Sequence, residues 1–337
     1  MDYTTVRFFS DTGLRNPFMS NPKLGAEQLK QFHTDGYTVV NGFFDDSDLQ
    51  PVIDEIEVEV NRRAEEAVAK GELSQTFKQY GFERQLAMIS RETDKVALSI
   101  WNGALCGPAF FNLIRNPKLL DIAESFCGPE LIASSVYRLR PKLPNYSYGA
   151  VPWHQDSGYT EPYCDKSLML TVWLPLVDAT KENGCMWVMP GVHKGGVLEH
   201  GWREGKPYLV IPDSELPKRD PVCVPVKKGG ALFLTNLAPH ASFENSTDMV
   251  RWSMDLRYQS AALPTNAKIT RLPREVVADK EKGIPLACYP PEADFLVRST
   301  ARPTEVVSDP AEFQRIRKNH IGQGITPRWK ALPAEVV

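Results

Sequence analysis

The feature that most restricts this chain is a change of hydrophobic period near residue 130. Before it, apolar residues recur at helical spacing. After it come short β-prone runs separated by Pro, Gly, Asn and Asp. The runs are 134–140, 151–156, 168–176, 185–189, 222–226, 231–235, 238–244 and 250–259. Eight runs so spaced predict two antiparallel sheets closed around a cavity. The expected fold class is mainly β with flanking helices: a double-stranded β-helix (jelly roll, cupin-like) core with a helical N-terminal half.

The front half supports this division. A helix is expected over 26–35, with Leu29 and Phe32 on one face and Gly36 as its stop, followed by a strand over 37–40. Ser47 is the expected cap of a long helix reaching about residue 70. Its Leu49, Val52, Ile53, Ile56, Val60, Ala64 and Ala67 fall on one face. Residues 86–126 stay helical in pattern, with Pro117 placed for the first turn of the last helix and Gly128-Pro129 ending it. One domain over 1–337 is expected, without an internal repeat. It divides into an arm (1–25), a mainly helical support (26–130), the jelly-roll core (131–260) and a Pro-rich C-terminal wrap (261–337).

A net charge of −3 gives no electrostatic case for nucleic acid or an anionic membrane. No apolar run is long enough to span a bilayer, and neither a secretory leader nor a peroxisomal C-terminal tripeptide is evident. The six cysteines are scattered without a CxxC, which suits reduced thiols in the cytoplasm. The expected partner is a small-molecule substrate; the oligomeric state is not readable.

Within the β region, Trp153-His154-Gln155-Asp156 places His and Asp two residues apart, on one face of an extended strand. Such a pair supplies two-thirds of a 2-His-1-carboxylate site. Alone it is weak, because chance produces an HxD in roughly one chain in three of this length. Of the other histidines, His33 and His320 read as surface residues, His193 lies in a turn, and His200 sits uninformatively in a Gly-rich loop. His240 differs, since it follows an apolar strand and opens another β-prone run. If Asn245-Ser246-Thr247-Asp248 is a four-residue hairpin turn, Ser242 faces Arg251 across the ladder, and His240 shares their face. An inward arginine needs an anion. That anion is either an internal acid such as Asp255 or Glu244, or the carboxylate of a bound molecule.

These stretches resemble the phytanoyl-CoA dioxygenase family of Fe(II)- and 2-oxoglutarate-dependent oxygenases. The matching segments are Trp153–Asp156, Asn183-Gly184-Cys185 with the turn from Met189 to Gly195, and Pro239-His240-Ala241-Ser242 followed by Arg251. The resemblance spans about 26–260. It implies that His154, Asp156 and His240 hold iron, and that Arg251, helped by Ser242, binds the far carboxylate of 2-oxoglutarate. Trp173 falls where some members place an aromatic against the cosubstrate, and Thr171 and Met169 share its strand face. The implied reaction hydroxylates, or otherwise oxidises by hydrogen abstraction, a small or medium metabolite, converting 2-oxoglutarate and O2 to succinate and CO2. Relatives that halogenate lack the metal carboxylate; Asp156 is present here. Trp153, Tyr159, Tyr163 and Trp187 are candidate cavity walls, and Arg138, Arg140 and Lys142 face either substrate or solvent. Two other readings are a metal-dependent jelly-roll enzyme that does not use 2-oxoglutarate, and a non-catalytic binding member of the family.

Overall fold

The structure is a computed structural model that describes residues 24–101, 105–135, 137–160, 162–203, 208–263, 294–320 and 328–333. The expected arm before residue 24, Cys288 and most of the expected 260–285 loop lie outside the described residues.

The front half forms as its pattern dictates. Helix α1 (Ala26–Asp35) ends at Gly36, whose left-handed backbone terminates it. Strand β1 (Tyr37–Val40) follows, then α2 (Asp46–Ala69), whose buried residues are the seven expected. Its cap is Asp45, not Ser47. The Asp45 carboxylate accepts the Asp48 N–H, and the Asp48 side chain reaches back to the Asp45 N–H. Helices α3 (Gly81–Ser90), α4 (Lys95–Trp101), α5 (Pro108–Ile114) and α6 (Pro117–Cys127) complete this layer. Pro117 occupies the first turn of α6, with Asn116 as cap.

The expected strand 134–140 is two strands, β2 (Leu131–Ser134) and β3 (Arg138–Lys142). The remaining runs give β4 (Val151–His154), β5 (Met169–Pro175), β6 (Met186–Val188), β9 (Val222–Val224), β10 (Ala231–Thr235), β11 (His240–Ser242) and β12 (Arg251–Ser260). Short β7 (Gly201–Trp202) and β8 (Leu209–Val210), and the C-terminal β13 (Asp294–Arg298), α7 (Pro310–His320) and β14 (Lys330–Ala331), were not expected as individual elements. Strands β7, β8 and β14 form a small sheet of their own.

A seven-stranded sheet runs β1-β10-β5-β12-β2-β13, with β3 also paired to β12. A four-stranded sheet runs β4-β11-β6-β9, and both are antiparallel. Strand β12 alternates strictly. Trp252, Met254, Leu256 and Tyr258 join the helices in one apolar core, while Arg251, Ser253, Asp255 and Arg257 take the other face. A second core of Trp173, Leu232, Leu234, Met186 and Val188 lies on residues of both sheets. Burying large groups on the helix side, Trp252 among them, resists truncation by about 3–5 kcal/mol each. That leaves the opposite face free to carry polar groups.

One local expectation is overturned. Strands β11 and β12 are not a hairpin: Ser242 pairs with Val151 in the small sheet, and Arg251 pairs with Lys142 in the large one. The connecting residues do contain the expected turn chemistry, since Asn245 Oδ1 accepts the Thr247 N–H. Buried Asn245 also donates to the Lys142 and Met249 carbonyls, so the segment crosses between sheets instead of folding back.

Candidate metal and carboxylate site

His154 ends β4, and Asp156 opens a 3-10 turn (Asp156–Tyr159) immediately after it. His240 begins β11 and is the cross-strand partner of His154, which brings the two rings to 4.2 Å between centroids. Ligand atoms of the three residues lie within 4.8 Å of one another, and all three side chains are buried.

Local hydrogen bonds orient each group. His154 Nδ1 donates to the Pro152 carbonyl at 2.8 Å, and His240 Nδ1 to the Ala238 carbonyl at 2.9 Å. Those contacts place the ring protons on Nδ1 and leave both Nε2 lone pairs available to a metal. Burial, reinforced by His240, pushes the His154 imidazolium well below its usual range, so the ring is neutral as a ligand must be. Burial alone would raise the Asp156 carboxyl. Arg257, the two histidines and Thr171 outweigh it and hold the group well below the usual carboxylate range.

Arg257 had no assigned role in the sequence reading. Its Nη2 donates to Asp156 Oδ1 at 3.0 Å, and its Nε lies 3.0 Å from Oδ2. Thr171 donates its hydroxyl to Oδ2. Each carboxylate oxygen retains a lone pair, so the carboxylate is fixed without losing its capacity to bind a cation. Two imidazoles with their Nε2 atoms turned inward and one fixed anion match the donor set for a divalent transition metal with open positions. The signal for Arg257 was present in the period-two pattern Arg251, Ser253, Asp255, Arg257, which puts all four on one face.

Arg251 is 1% exposed. Its Nη1 donates to Ser253 Oγ and its Nη2 to Ser242 Oγ at 3.3 Å, while among the described residues its Nε has no partner. Neither acid suggested as an internal partner forms an ion pair with it, although Asp255 acts on it through space. Asp255 is bound by Arg140 Nε at 2.5 Å, and Glu244 is exposed. Burial lowers the Arg251 pKa to about 10, the signature of a cation without adequate compensation. Trp173 packs against it, with the guanidinium carbon 5.3 Å from the ring centroid. Ser242 also donates to the Gly184 carbonyl at 2.8 Å. Gly184 is required here: its φ is +79°, and a Cβ would sit 2.5 Å from the Phe243 carbonyl oxygen.

The other expected residues sort by face. Thr171 contacts Asp156 instead of the Arg251 end, and Met169 lines a small pocket of about 30 Å³ whose wall includes Arg257, Asn236 and Gln259. Trp153 and Trp187 are not cavity walls. They meet half-exposed Phe243 at ring distances of 6.2 and 5.8 Å, on the opposite strand face from buried His154 and Val188. Tyr159 does lie beside His154, at 5.8 Å, and the Tyr163 side chain is outside the described set. Lys142 is buried and donates from Nζ to the carbonyls of Ser242 and Phe243. Burial, with Arg251 and Arg140 nearby, lowers its pKa to about 6. His193 stands away from the cluster and packs on Gly36, where a Cβ would lie 2.6 Å from its Nδ1.

His200, uninformative in sequence, is buried between two contacts. Its Nδ1 donates to the Leu198 carbonyl at 2.8 Å, and its Nε2 accepts the Gln155 N–H at 3.0 Å. Burial lowers its pKa to about 4, consistent with the neutral tautomer those contacts require.

Among the described residues, no helix is long and apolar enough to cross a membrane. A sequence model of the family described as "Phytanoyl-CoA dioxygenase (PhyH)" matches residues 32–253, more than half of the chain. Peroxisomal phytanoyl-CoA dioxygenase of Homo sapiens is 25% identical over 249 residues, covering 72% of this chain and 70% of that protein. Phytanoyl-CoA dioxygenase domain-containing protein 1 of Mus musculus is 25% identical over 276 residues, covering 71% and 91%. A probable alpha-ketoglutarate-dependent hypophosphite dioxygenase of Stutzerimonas stutzeri is 27% identical over 177 residues, covering 52% and 56%. Among solved structures, EvdO2 from Micromonospora carbonacea var. aurantiaca, complexed with 2-oxoglutarate, is 20% identical with a TM-score of 0.44, covering 72% of this chain and 96% of that one. With a buried two-histidine, one-carboxylate cluster in its core and the family model spanning most of that core, the chain belongs to the phytanoyl-CoA dioxygenase family, and so to the oxidoreductases of the dioxygenase class.

Proposed function

We propose that the protein is an Fe(II)- and 2-oxoglutarate-dependent dioxygenase that hydroxylates, or otherwise oxidises by hydrogen abstraction, a small or medium organic metabolite. The observation that carries this reading is the pairing of two features in one interior. One is a buried His154, Asp156, His240 cluster, and the other is a buried Arg251 with no carboxylate partner among the described residues. The first suits a metal; the second suits the carboxylate of a bound molecule. A metal-dependent enzyme that did not use an oxoacid would leave Arg251 uncompensated.

His154 and His240 would hold iron through Nε2 and Asp156 through its carboxylate, with Thr171 and Arg257 keeping that carboxylate in place. Iron bound there supplies the one-electron and O2 chemistry that protein side chains lack. Arg251 and Ser242 would pair with the far carboxylate of 2-oxoglutarate, and Trp173 would wall its path. The residues' work is positioning and the exclusion of water.

We read the chain as a single oxygenase domain, since β1 and the C-terminal β13 form opposite edges of one sheet. Free thiols at Cys106, Cys127, Cys164, Cys185 and Cys223 suit a reducing compartment such as the cytoplasm.

The test is spectroscopic. Anaerobic protein given Fe(II) and 2-oxoglutarate should develop a visible charge-transfer band and release succinate on exposure to air. Folded, iron-loaded protein that shows neither would refute the proposal.

A further inference from the structure

Asp156 is held at two levels. Arg257 and Thr171 fix its side chain, and a separate set of contacts fixes the backbone around it. On the near side, the Gln155 N–H is bound by His200. The Gln155 side chain donates to the Gly196 and Leu237 carbonyls at 2.9 and 2.7 Å and accepts the Leu198 N–H at 2.7 Å. On the far side, the contacts come from residues 328–332, far beyond the segment that the family model matches.

Trp329 Nε1 donates to the Gly158 carbonyl at 2.6 Å, and its ring lies on His200 at 5.1 Å. Arg328 binds Asp165 through two 2.7 Å contacts and reaches the Thr160 carbonyl at 3.2 Å, while its guanidinium covers the Trp329 ring at 4.5 Å. The strap is anchored where His200 emerges. Strand β14 pairs in parallel with β7, and the Leu332 N–H donates to the Trp202 carbonyl at 2.8 Å. Gly158 makes the closeness possible, because a Cβ there would lie 2.7 Å from the His200 ring. The backbone of residues 155–160, together with the Asp165 side chain, is thus clasped between His200 and the C-terminal strap.

We propose that Arg328 and Trp329, acting with His200, are positioning residues that hold the Asp156 turn in its metal-binding geometry, so that the C-terminal segment completes the metal site. This rests on the reading of His154, Asp156 and His240 as metal ligands. Ligand carboxylates must be held within about 0.5 Å of a productive placement. A 3-10 turn has weak internal bonding with which to do that alone.

The experiment uses the full chain, with Co(II) as a redox-stable spectroscopic probe. Trp329→Phe keeps a ring against His200 and removes the indole donor; Arg328→Met removes the Asp165 clasp. Each is expected to weaken Co(II) binding by about 10- to 100-fold, the range for losing a group that orients a metal ligand. Each should alter the Co(II) ligand-field spectrum while leaving the melting temperature of the metal-free protein within a few degrees of the parent. In an Asp156→Ala background, neither substitution should weaken the residual Co(II) binding further, because the strap acts through Asp156. Parent-like Co(II) affinity in both variants overturns the inference, as does an equal loss of affinity with and without Asp156. If the parent binds Co(II) no better than His154→Ala does, the assignment of the metal site itself fails, a result distinct from the others.

Discussion

Replacing Arg251 by Met separates what a residue contributes to folding from what it contributes to binding. The guanidinium is 1% exposed and, among the described residues, has no carboxylate hydrogen-bonded to it. Its pKa falls from 12.5 to about 10, which corresponds to roughly 3 kcal/mol against the charged form. The folded pKa lies below the unfolded one, so the penalty is fully present below pH 10 and fades only as pH rises above it. The substitution removes that penalty and loses two hydrogen bonds to serine hydroxyls, worth about 1 kcal/mol each. Ligand-free Arg251→Met is therefore expected to be as stable as the parent or more stable by about 1 kcal/mol. At roughly 2–4 °C per kcal/mol, its melting temperature stays level or rises slightly. Binding responds in the opposite direction. Removing one partner of a buried ion pair costs about 3–5 kcal/mol, or roughly 10²- to 4 × 10³-fold in the 2-oxoglutarate dissociation constant. Thermal melts with and without 2-oxoglutarate, and calorimetric titration of metal-loaded protein, read both quantities. A ligand-free variant destabilised by more than about 3 kcal/mol would make Arg251 a structural residue. Affinity for 2-oxoglutarate within a few-fold of the parent would remove its role as a clamp.

Three further outcomes follow from the same interior. Asp156→Ala should weaken metal binding strongly, leaving only the residual affinity of the two histidines, and should also destabilise the metal-free protein by up to about 3–5 kcal/mol, because it removes the buried carboxylate that Arg257 binds. Adding Arg257→Met should recover much of that stability in urea melts without restoring the metal. For Lys142, the folded pKa of about 6 lies below the unfolded value of 10.5, so the unfolded chain binds the extra proton and stability rises with pH across that interval. Lys142→Met should flatten that rise when urea stability at pH 6 and pH 9 is compared with the parent; an unchanged slope would assign it to other groups. His193→Ala should retain parental metal affinity, since that ring packs on Gly36 away from the cluster; loss of metal would contradict the assignment of His240.

What could be read directly from sequence follows from how local the cause is. Helix α1 ends where expected because Gly36 alone determines the stop. The cap of α2 was misplaced by two residues because Asp45 and Ser47 are both competent acceptors, and only the three-dimensional reach to the Asp48 N–H decides between them. The three ligands were legible as residue types in β-prone runs. The proximity of Ser242 and Arg251 was also anticipated, but through a hairpin that does not exist. The turn chemistry at Asn245 is genuine, yet which sheet each flanking strand joins depends on Val151 and Lys142, about a hundred residues earlier. His200 and the strap at Arg328–Trp329 carried no period or spacing to find, since each acquires meaning only from a partner distant in sequence.

Strand β12 behaves as a ruler. Arg251 at one end of its polar row meets the Ser242 region, and Arg257 toward the other holds Asp156. Six residues of extended backbone at about 3.3 Å each set the separation of these two cations along the strand. Because the same residues alternate with the Trp252, Met254, Leu256 and Tyr258 core, the gauge has no intermediate settings. Insertion or deletion of one residue between 251 and 257 would turn one arginine into the helix-side core and expose an apolar side chain to the interior. Tolerance of this family member to change should therefore be sharply asymmetric: permissive to substitution along the outer loops, and intolerant of any change of length within this one strand.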